Sequence, residues 1–185
     1  MIEKIIRSVQ SIPAFPMTVQ KVAELVSRED YAVADLVNLI KYDQAITANI
    51  LKMSNAAYFG SRHKIKSIQE AVLYLGQQNL LRAVQTAGVS RFYRKVGGGY
   101  VTQARELWKH SVAVAMMTQI LSQKVFHCDD SVLYTAGLLH DIGKVFLGEY
   151  VQESFNKIED LVTNQGYSFL DAEKEVLGID HAGLG

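Results

Sequence analysis

The distribution of proline is the feature that most constrains the fold. Both prolines, Pro13 and Pro16, lie near the start of the chain, and no proline follows them. Apolar residues instead recur at helical spacing, as in Val19, Val22 and Val26. Because proline breaks helix interiors and this spacing is typical of amphipathic helices, the sequence predicts an all-α protein. More than half of the residues should be helical, with no β-sheet.

Local signals divide this helical chain. Ser67 and Glu70 form a capping box, and Gly76 is expected to end the short helix that follows. The triple glycine Gly97–Gly99 predicts a hinge outside any helix. Ser168, with Asp171 three residues later, should begin a helix near the end of the chain. We therefore expect two helical lobes, at about residues 1–96 and 100–185, and helical stretches over about 101–126, 150–165 and 168–177.

Composition and charge narrow the class of protein. With 49% hydrophobic and 21% charged residues, the chain has enough apolar material for a core. Its 19 basic and 19 acidic residues cancel, so there is no overall field to attract nucleic acid, and a local basic patch is possible but not obvious. No stretch approaches the roughly 18 apolar residues of a membrane span. The single cysteine, Cys128, cannot form an internal disulfide, and we expect a cytoplasmic protein.

The run Ala136–Lys144 is the strongest candidate for a functional site. Leu133, Ala136, Gly137 and His140 share one helix face, so the His140 imidazole is expected to point toward the core. Asp141 can reach the same point beyond the helix end, while Gly143 should end the helix and Lys144 adds a cation. Two interpretations remain open here, a structural His–Asp pair without metal and a metal site.

Two further histidines strengthen the metal interpretation. His110 lies on a predicted core-facing stripe, which consists of Leu107, His110, Val114, Met117 and Leu121. His181 lies near a turn at the end of the chain. We predict that His110, His140, Asp141 and His181 converge, with His140 and Asp141 closest to each other. Zinc, iron or manganese suits such mixed nitrogen and oxygen ligands.

In their order and spacing, these pieces resemble the HDOD (HD-related output domain) family, a branch of the HD superfamily of metal-dependent phosphohydrolases. The similarity is carried by the stretches 12–16, 42–59, 65–76, 107–111, 136–144 and 175–181. The chain departs from the family pattern at Gln44, where proline usually follows the aspartate, and this change should only loosen a turn.

The resemblance implies a single HDOD-like domain, a multi-helix HD-like bundle with an N-terminal helical lobe. It implies a bacterial signalling or regulatory module that binds a signalling partner, a fused signalling domain or a small ligand, with an incomplete metal site. The alternative is a metal-dependent phosphohydrolase acting on a nucleotide or phosphodiester, with Lys144 contacting a substrate phosphate. Related catalytic enzymes carry further His or Asp ligands beyond the position of His181, so we expect a C-terminally truncated domain or a degenerate site. The sequence does not give the oligomeric state.

Overall fold

The computed structural model describes residues 2–10, 16–28, 30–56, 63–93, 104–127 and 131–185, and all regular structure in these ranges is helical. This confirms the all-α prediction. Gly97–Gly99 and most of the proline-containing segment lie outside the described residues. The helices are α1 (Ile2–Gln10), α2 (Met17–Val26), α3 (Val33–Ile40), α4 (Gln44–Ser54), α5 (Ile68–Tyr93), α6 (Ala104–Val125), α7 (Ser131–Leu139), α8 (Ile142–Gln165), α9 (Phe169–Leu177) and α10 (His181–Leu184).

The chain forms two compact units. One contains Met1–Pro13 together with Arg91–Gly185, and the other contains Ala14–Ser90. The first unit differs from the predicted C-terminal lobe because it includes α1. The reason is that Ile5 of α1 is fully buried and packs in a cluster with Leu147, Val151 and Ile158 of α8.

The unit Ala14–Ser90 is built around its own apolar core. Valine, leucine and isoleucine side chains at helical spacing meet in one cluster, whose fully buried members include Val22, Ile40, Ile46, Ile50 and Leu80. Gly76 interrupts α5 with a backbone φ of 69°, a conformation that glycine adopts without steric cost. The expectation that Gly76 ends a short helix is therefore confirmed, because the residues on either side form separately directed helical segments.

Three side chains fix the connection into α5. Asn55, the C-cap of α4, donates to the carbonyl of Ile65 and accepts from its N–H, at 2.8 and 2.9 Å. Ser67 accepts from the N–H of Glu70 as predicted, while the Glu70 carboxylate accepts from the N–H of Lys66. The hydrogen bond from the Lys66 N–H, together with nearby His63, holds the pKa of the Glu70 carboxyl below its usual range. The segment before α5 is thus pinned to the end of α4.

In the unit that contains Arg91–Gly185, α6 presents a different face to its neighbours than the sequence predicts. Met117 and Leu121 are exposed, and so is His110, although Leu107 is buried. The buried face instead carries small and polar residues, namely Ser111, Ala115, Gln119 and Ser122. A Cβ at Gly137 of α7 would lie only 2.9 Å from the Cα of Ala115. The two helices approach so closely that only small residues fit between them. The most apolar stripe of α6 therefore did not predict its buried face.

No helix in the described ranges combines the length and the apolar character needed to cross a membrane.

Candidate metal centre

The His–Asp pair lies in the turn between two helices. Helix α7 ends at Leu139, His140 and Asp141 follow, and α8 begins at Ile142. Gly143 therefore does not end the preceding helix, as the sequence suggested, but lies in the first turn of α8. A Cβ at this position would overlap the carbonyl oxygen of His181 and lie 2.8 Å from its carbonyl carbon. Glycine is needed here because two backbone segments meet, and this contact brings α10 to the pair.

Asp141 is the central residue of the site. Its Oδ2 atom lies 3.4 Å from Nε2 of His140 and 3.6 Å from Nε2 of His110, and the two Nε2 atoms are 3.3 Å apart. These three side chains offer ligand atoms that all lie within 4.8 Å of one another. The two imidazoles are thus marginally closer to each other than His140 is to Asp141.

His181 lies on the other side of the same carboxylate. Its Nε2 is 3.6 Å from Oδ1 of Asp141, whereas His110 and His140 face Oδ2. The structure therefore brings the three predicted histidines to Asp141, but only His110 and His140 form one tight group with it, and His181 stands apart from that group.

Hydrogen bonds orient two of the imidazoles. The Nδ1 atom of His140 is 2.8 Å from the carbonyl oxygen of Gly137, and Nδ1 of His181 is 2.7 Å from Oε2 of Glu173. Since a carbonyl or carboxylate oxygen accepts a hydrogen bond from Nδ1–H, the matching neutral tautomer of each ring has its lone pair on Nε2. Both Nε2 atoms face Asp141, which is the arrangement that histidine ligands of metals commonly have.

The spacing of the donor atoms also suits an ion. Bonds of about 2.0–2.2 Å to a tetrahedral ion separate its ligand atoms by about 3.3–3.6 Å. The three separations among His110, His140 and Asp141 are 3.3, 3.4 and 3.6 Å. A His₂Asp donor set with this spacing fits a divalent metal of the zinc type.

Lys144 lies beside the same carboxylate. Its ammonium donates to Oδ2 of Asp141 at 2.8 Å, one turn along α8. The sequence suggested Lys144 as a contact for a substrate phosphate. In the structure, its charge is directed at Asp141, where it balances the buried carboxylate.

Exposure determines what can reach the site. The Asp141 side chain is 5% exposed, whereas His140 is 35% and His110 is 55% exposed. The expectation that both imidazoles face the core is therefore wrong. His140 follows the end of α7 and His110 lies on the exposed face of α6. The two rings therefore lie between solvent and the buried carboxylate of Asp141. Such a site is accessible to an ion or a small anion.

Glu173 is a residue of this site that the sequence analysis missed. It is fully buried, and its Oε2 accepts from both the backbone N–H and the Nδ1 of His181. Glu173 and Leu177 are both buried at i and i+4 of α9, so a carboxylate on an apolar helix face was the available signal. A buried carboxylate needs such partners, and Glu173 thereby fixes the position of His181.

Replacing Glu173 with alanine should lower the free energy of unfolding by about 2–3 kcal/mol. The change leaves two buried donors of His181 without an acceptor, at about 1–3 kcal/mol for each group before relaxation, and opens a small cavity. Urea denaturation measures the difference. Glu175→Ala is the matched control, because Glu175 lies on the same helix but is exposed, and it should change stability by less than about 0.5 kcal/mol. Equal effects of the two substitutions would contradict the assigned role of Glu173.

The end of the site is held by an aspartate cap. Asp180 accepts from the N–H of Gly183 at the start of α10 and pairs with Lys174 at 2.9 Å. The Lys174 ammonium, together with the Gly183 N–H, holds the pKa of the Asp180 carboxyl below its usual range. Because Asp180 directly precedes His181, these contacts of Asp180 also restrain the position of the His181 imidazole.

Comparisons with known proteins agree with this architecture. A crystal structure of an HDOD domain protein of unknown function from Geobacter sulfurreducens is 27% identical, with a TM-score of 0.79 over 96% of this chain and 60% of that chain. A protein from Shewanella amazonensis SB2B, named as a candidate phosphohydrolase, is 24% identical with a TM-score of 0.74, over 97% of this chain and 63% of that one. The likeness to the Shewanella protein concerns the fold alone.

A similar relation is found in sequence. An uncharacterized protein of Treponema pallidum (strain Nichols) is 22% identical over 180 residues, which cover 96% of this chain and 34% of that protein. The chain thus spans about a third of this relative and less than two thirds of the two structures. The model of the HDOD domain family matches residues 12–185. The chain belongs to the HDOD domain family.

Proposed function

We propose that this chain is a regulatory HDOD module that binds one divalent metal ion at His110, His140 and Asp141. The observation that carries this proposal is the group of ligand atoms within 4.8 Å of one another, with the His140 ring hydrogen-bonded so that Nε2 faces inward. His181 would complete the ligand set or support Asp141 from its opposite oxygen. Zinc, iron or manganese fits these donors.

The residues around the ion have separable tasks. A bound divalent metal would polarise a phosphoryl oxygen or lower the pKa of a coordinated water. Asp141 supplies the negative charge that attracts the ion, and Glu173 holds His181 against it. Lys144 neutralises Asp141 in the absence of an ion. Because cation and ammonium compete for Oδ2, binding of the ion should release the Lys144 side chain.

The charge inventory favours regulation over hydrolysis. Among the described carboxylates at the site, Asp141 faces the predicted ion position, whereas Glu173 is engaged with His181 and Asp180 with Gly183 and Lys174. Efficient metal-assisted hydrolysis needs a fixed ion, an open coordination position and groups that hold the phosphate. Lys144 is the one such group that we identify, and it contacts Asp141. We therefore assign binding rather than turnover to this module, in a cytoplasmic signalling context with a protein partner or a fused signalling domain.

Phosphohydrolase activity is the second candidate function. The observation in its favour is the exposure of His110 and His140, which leaves the site open to a phosphorylated substrate. It shares the metal site with the first proposal and differs in requiring turnover.

The purified protein should show no metal-dependent turnover above the uncatalysed rate with a nucleotide, a cyclic dinucleotide or a generic phosphodiester. The reason is the shortage of groups to hold and activate the phosphate. Release of phosphate or nitrophenol, measured with manganese or iron supplied, tests this. Metal content must be measured in the same samples, so that inactivity of the loaded protein is distinguished from loss of the metal. Robust turnover that disappears in Asp141→Ala would overturn the regulatory assignment and establish the enzyme.

A further inference from the structure

The second unit contains a concentration of positive charge that the neutral overall composition conceals. From residue 44 to residue 69 the sequence has no aspartate or glutamate, yet it contains three lysines and an arginine. Three of these cations, Lys52, Lys64 and Lys66, line one groove of about 580 Å³. We call this the lysine groove, and its remaining lining residues are Leu51, Asn55 and Ile65.

The hydrogen bonds of the Asn55 side chain to Ile65 fix the backbone on which the lysine groove is built. Asn55 bonds both backbone groups of Ile65, and the Ile65 side chain is 2% exposed. The Ile65 side chain is part of the core, whereas Lys64 and Lys66 on either side of it are exposed. Lys52 reaches the same groove from the last turn of α4.

The part of the chain that the structure describes does not neutralise these three ammonium groups. None of Lys52, Lys64 and Lys66 has an ion-pair partner among the described residues. Glu70 is the next acidic residue after this stretch, and its carboxylate is hydrogen-bonded to His63 and to the backbone N–H of Lys66. Because opposite charges attract, three lysines around one groove favour the binding of an anion there.

We propose that the lysine groove binds a nucleoside polyphosphate, with its phosphates on Lys52, Lys64 and Lys66 and its organic part against the partly exposed Leu51. Lysine is a common phosphate-binding residue, and three ammoniums suit a ligand with several negative charges. The groove volume lies within the range of about 300–1,000 Å³ for small-molecule sites. These three lysines share one groove in a chain of zero net charge, which favours a compact anion over an extended nucleic acid. This binding is independent of the metal centre.

The test is calorimetric titration of the purified chain with GTP in the presence of EDTA, so that the metal centre does not take part. The triple substitution Lys52→Gln, Lys64→Gln and Lys66→Gln should weaken binding at least about tenfold. A matched triple, Lys21→Gln, Lys124→Gln and Lys157→Gln, removes the same charge from exposed positions elsewhere and should leave affinity nearly unchanged. Arginine at positions 52, 64 and 66 should restore binding, since the charge is kept.

Three outcomes would overturn the proposal. The first is the absence of GTP binding to the unsubstituted chain at about 1 mM ligand, which corresponds to negligible affinity. The second is an equal loss in the two glutamine triples, because binding would then reflect overall charge. The third comes from the comparison ligands: inorganic triphosphate binding as tightly as GTP, or a single-stranded oligonucleotide binding more tightly, would exclude a nucleotide as the preferred occupant.

Discussion

Substitution of Gly143 by alanine is expected to lower the free energy of unfolding by about 3–5 kcal/mol, which is larger than most overpacking effects. The added Cβ would overlap the carbonyl oxygen of His181 and lie 3.0 Å from its Cα. Backbone atoms on both sides must move, since no flexible side chain can yield. The same displacement would carry His181 away from Asp141. Urea denaturation gives the stability change, and a lower affinity for metal should accompany it.

Gly183→Ala is the matched control for Gly143→Ala. Both glycines lie in first helical turns beside the site, but the nearest atom to a Cβ at Gly183 is Oδ1 of Asp180, at an ordinary distance of 3.4 Å. Because alanine is the better helix former, this control should be neutral or slightly stabilising. If Gly143→Ala proved as stable as Gly183→Ala, the close approach of α8 and α10 would be wrong.

The second large effect is expected at Asp141. Replacing it with asparagine should weaken binding of Zn²⁺ by at least about a hundredfold, or about 2.7 kcal/mol. The substitution removes the only negative charge of the group formed with His110 and His140, and it leaves the Lys144 ammonium close by without its counter-charge. Competition with a chromophoric chelator measures the affinity. Unfolding of the metal-free variant shows separately whether the fold is intact.

Two comparisons make this measurement specific. Asp35→Asn removes an exposed carboxylate on α3 and should leave metal affinity unchanged. His181→Ala should weaken binding by about tenfold, less than Asp141→Asn, because supporting residues around a metal contribute about 10–100-fold and His181 faces the opposite oxygen of Asp141. Equal affinities for Asp141→Asn and the unsubstituted chain would remove Asp141 from the ligand set.

Local signals in the sequence were good guides to the helices. The caps at Ser67 and Ser168 bind the predicted N–H groups, and Gly76 interrupts α5 as expected. Each of these features depends on residues within a few positions of one another, so it can be predicted from a short stretch of sequence. The three histidines that were predicted to converge on Asp141 do lie beside it, and they were predicted because imidazoles and carboxylates are conspicuous against apolar helical patterns.

Features that depend on contacts between different helices could not be predicted from the sequence. Hydrophobicity chose the wrong face of α6, since the close approach of Gly137 to Ala115 requires small residues instead of large apolar ones. Gly143 was interpreted as a helix end because its true neighbour, His181, is far away in the sequence. Glu173 was overlooked because its partner His181, although only eight residues away, lies on another helix. In each case the decisive partner lies on another helix.

The most direct test of a metal centre is elemental analysis of the protein purified without added metal. We expect about one ion of zinc, iron or manganese per chain, the occupancy of a single His/Asp site, and a strong reduction in the Asp141→Asn variant. An essentially metal-free protein that also fails to bind zinc, iron or manganese on titration would contradict the account. The His110, His140 and Asp141 group would then be a structural cluster in which Lys144 is the permanent counter-ion of Asp141.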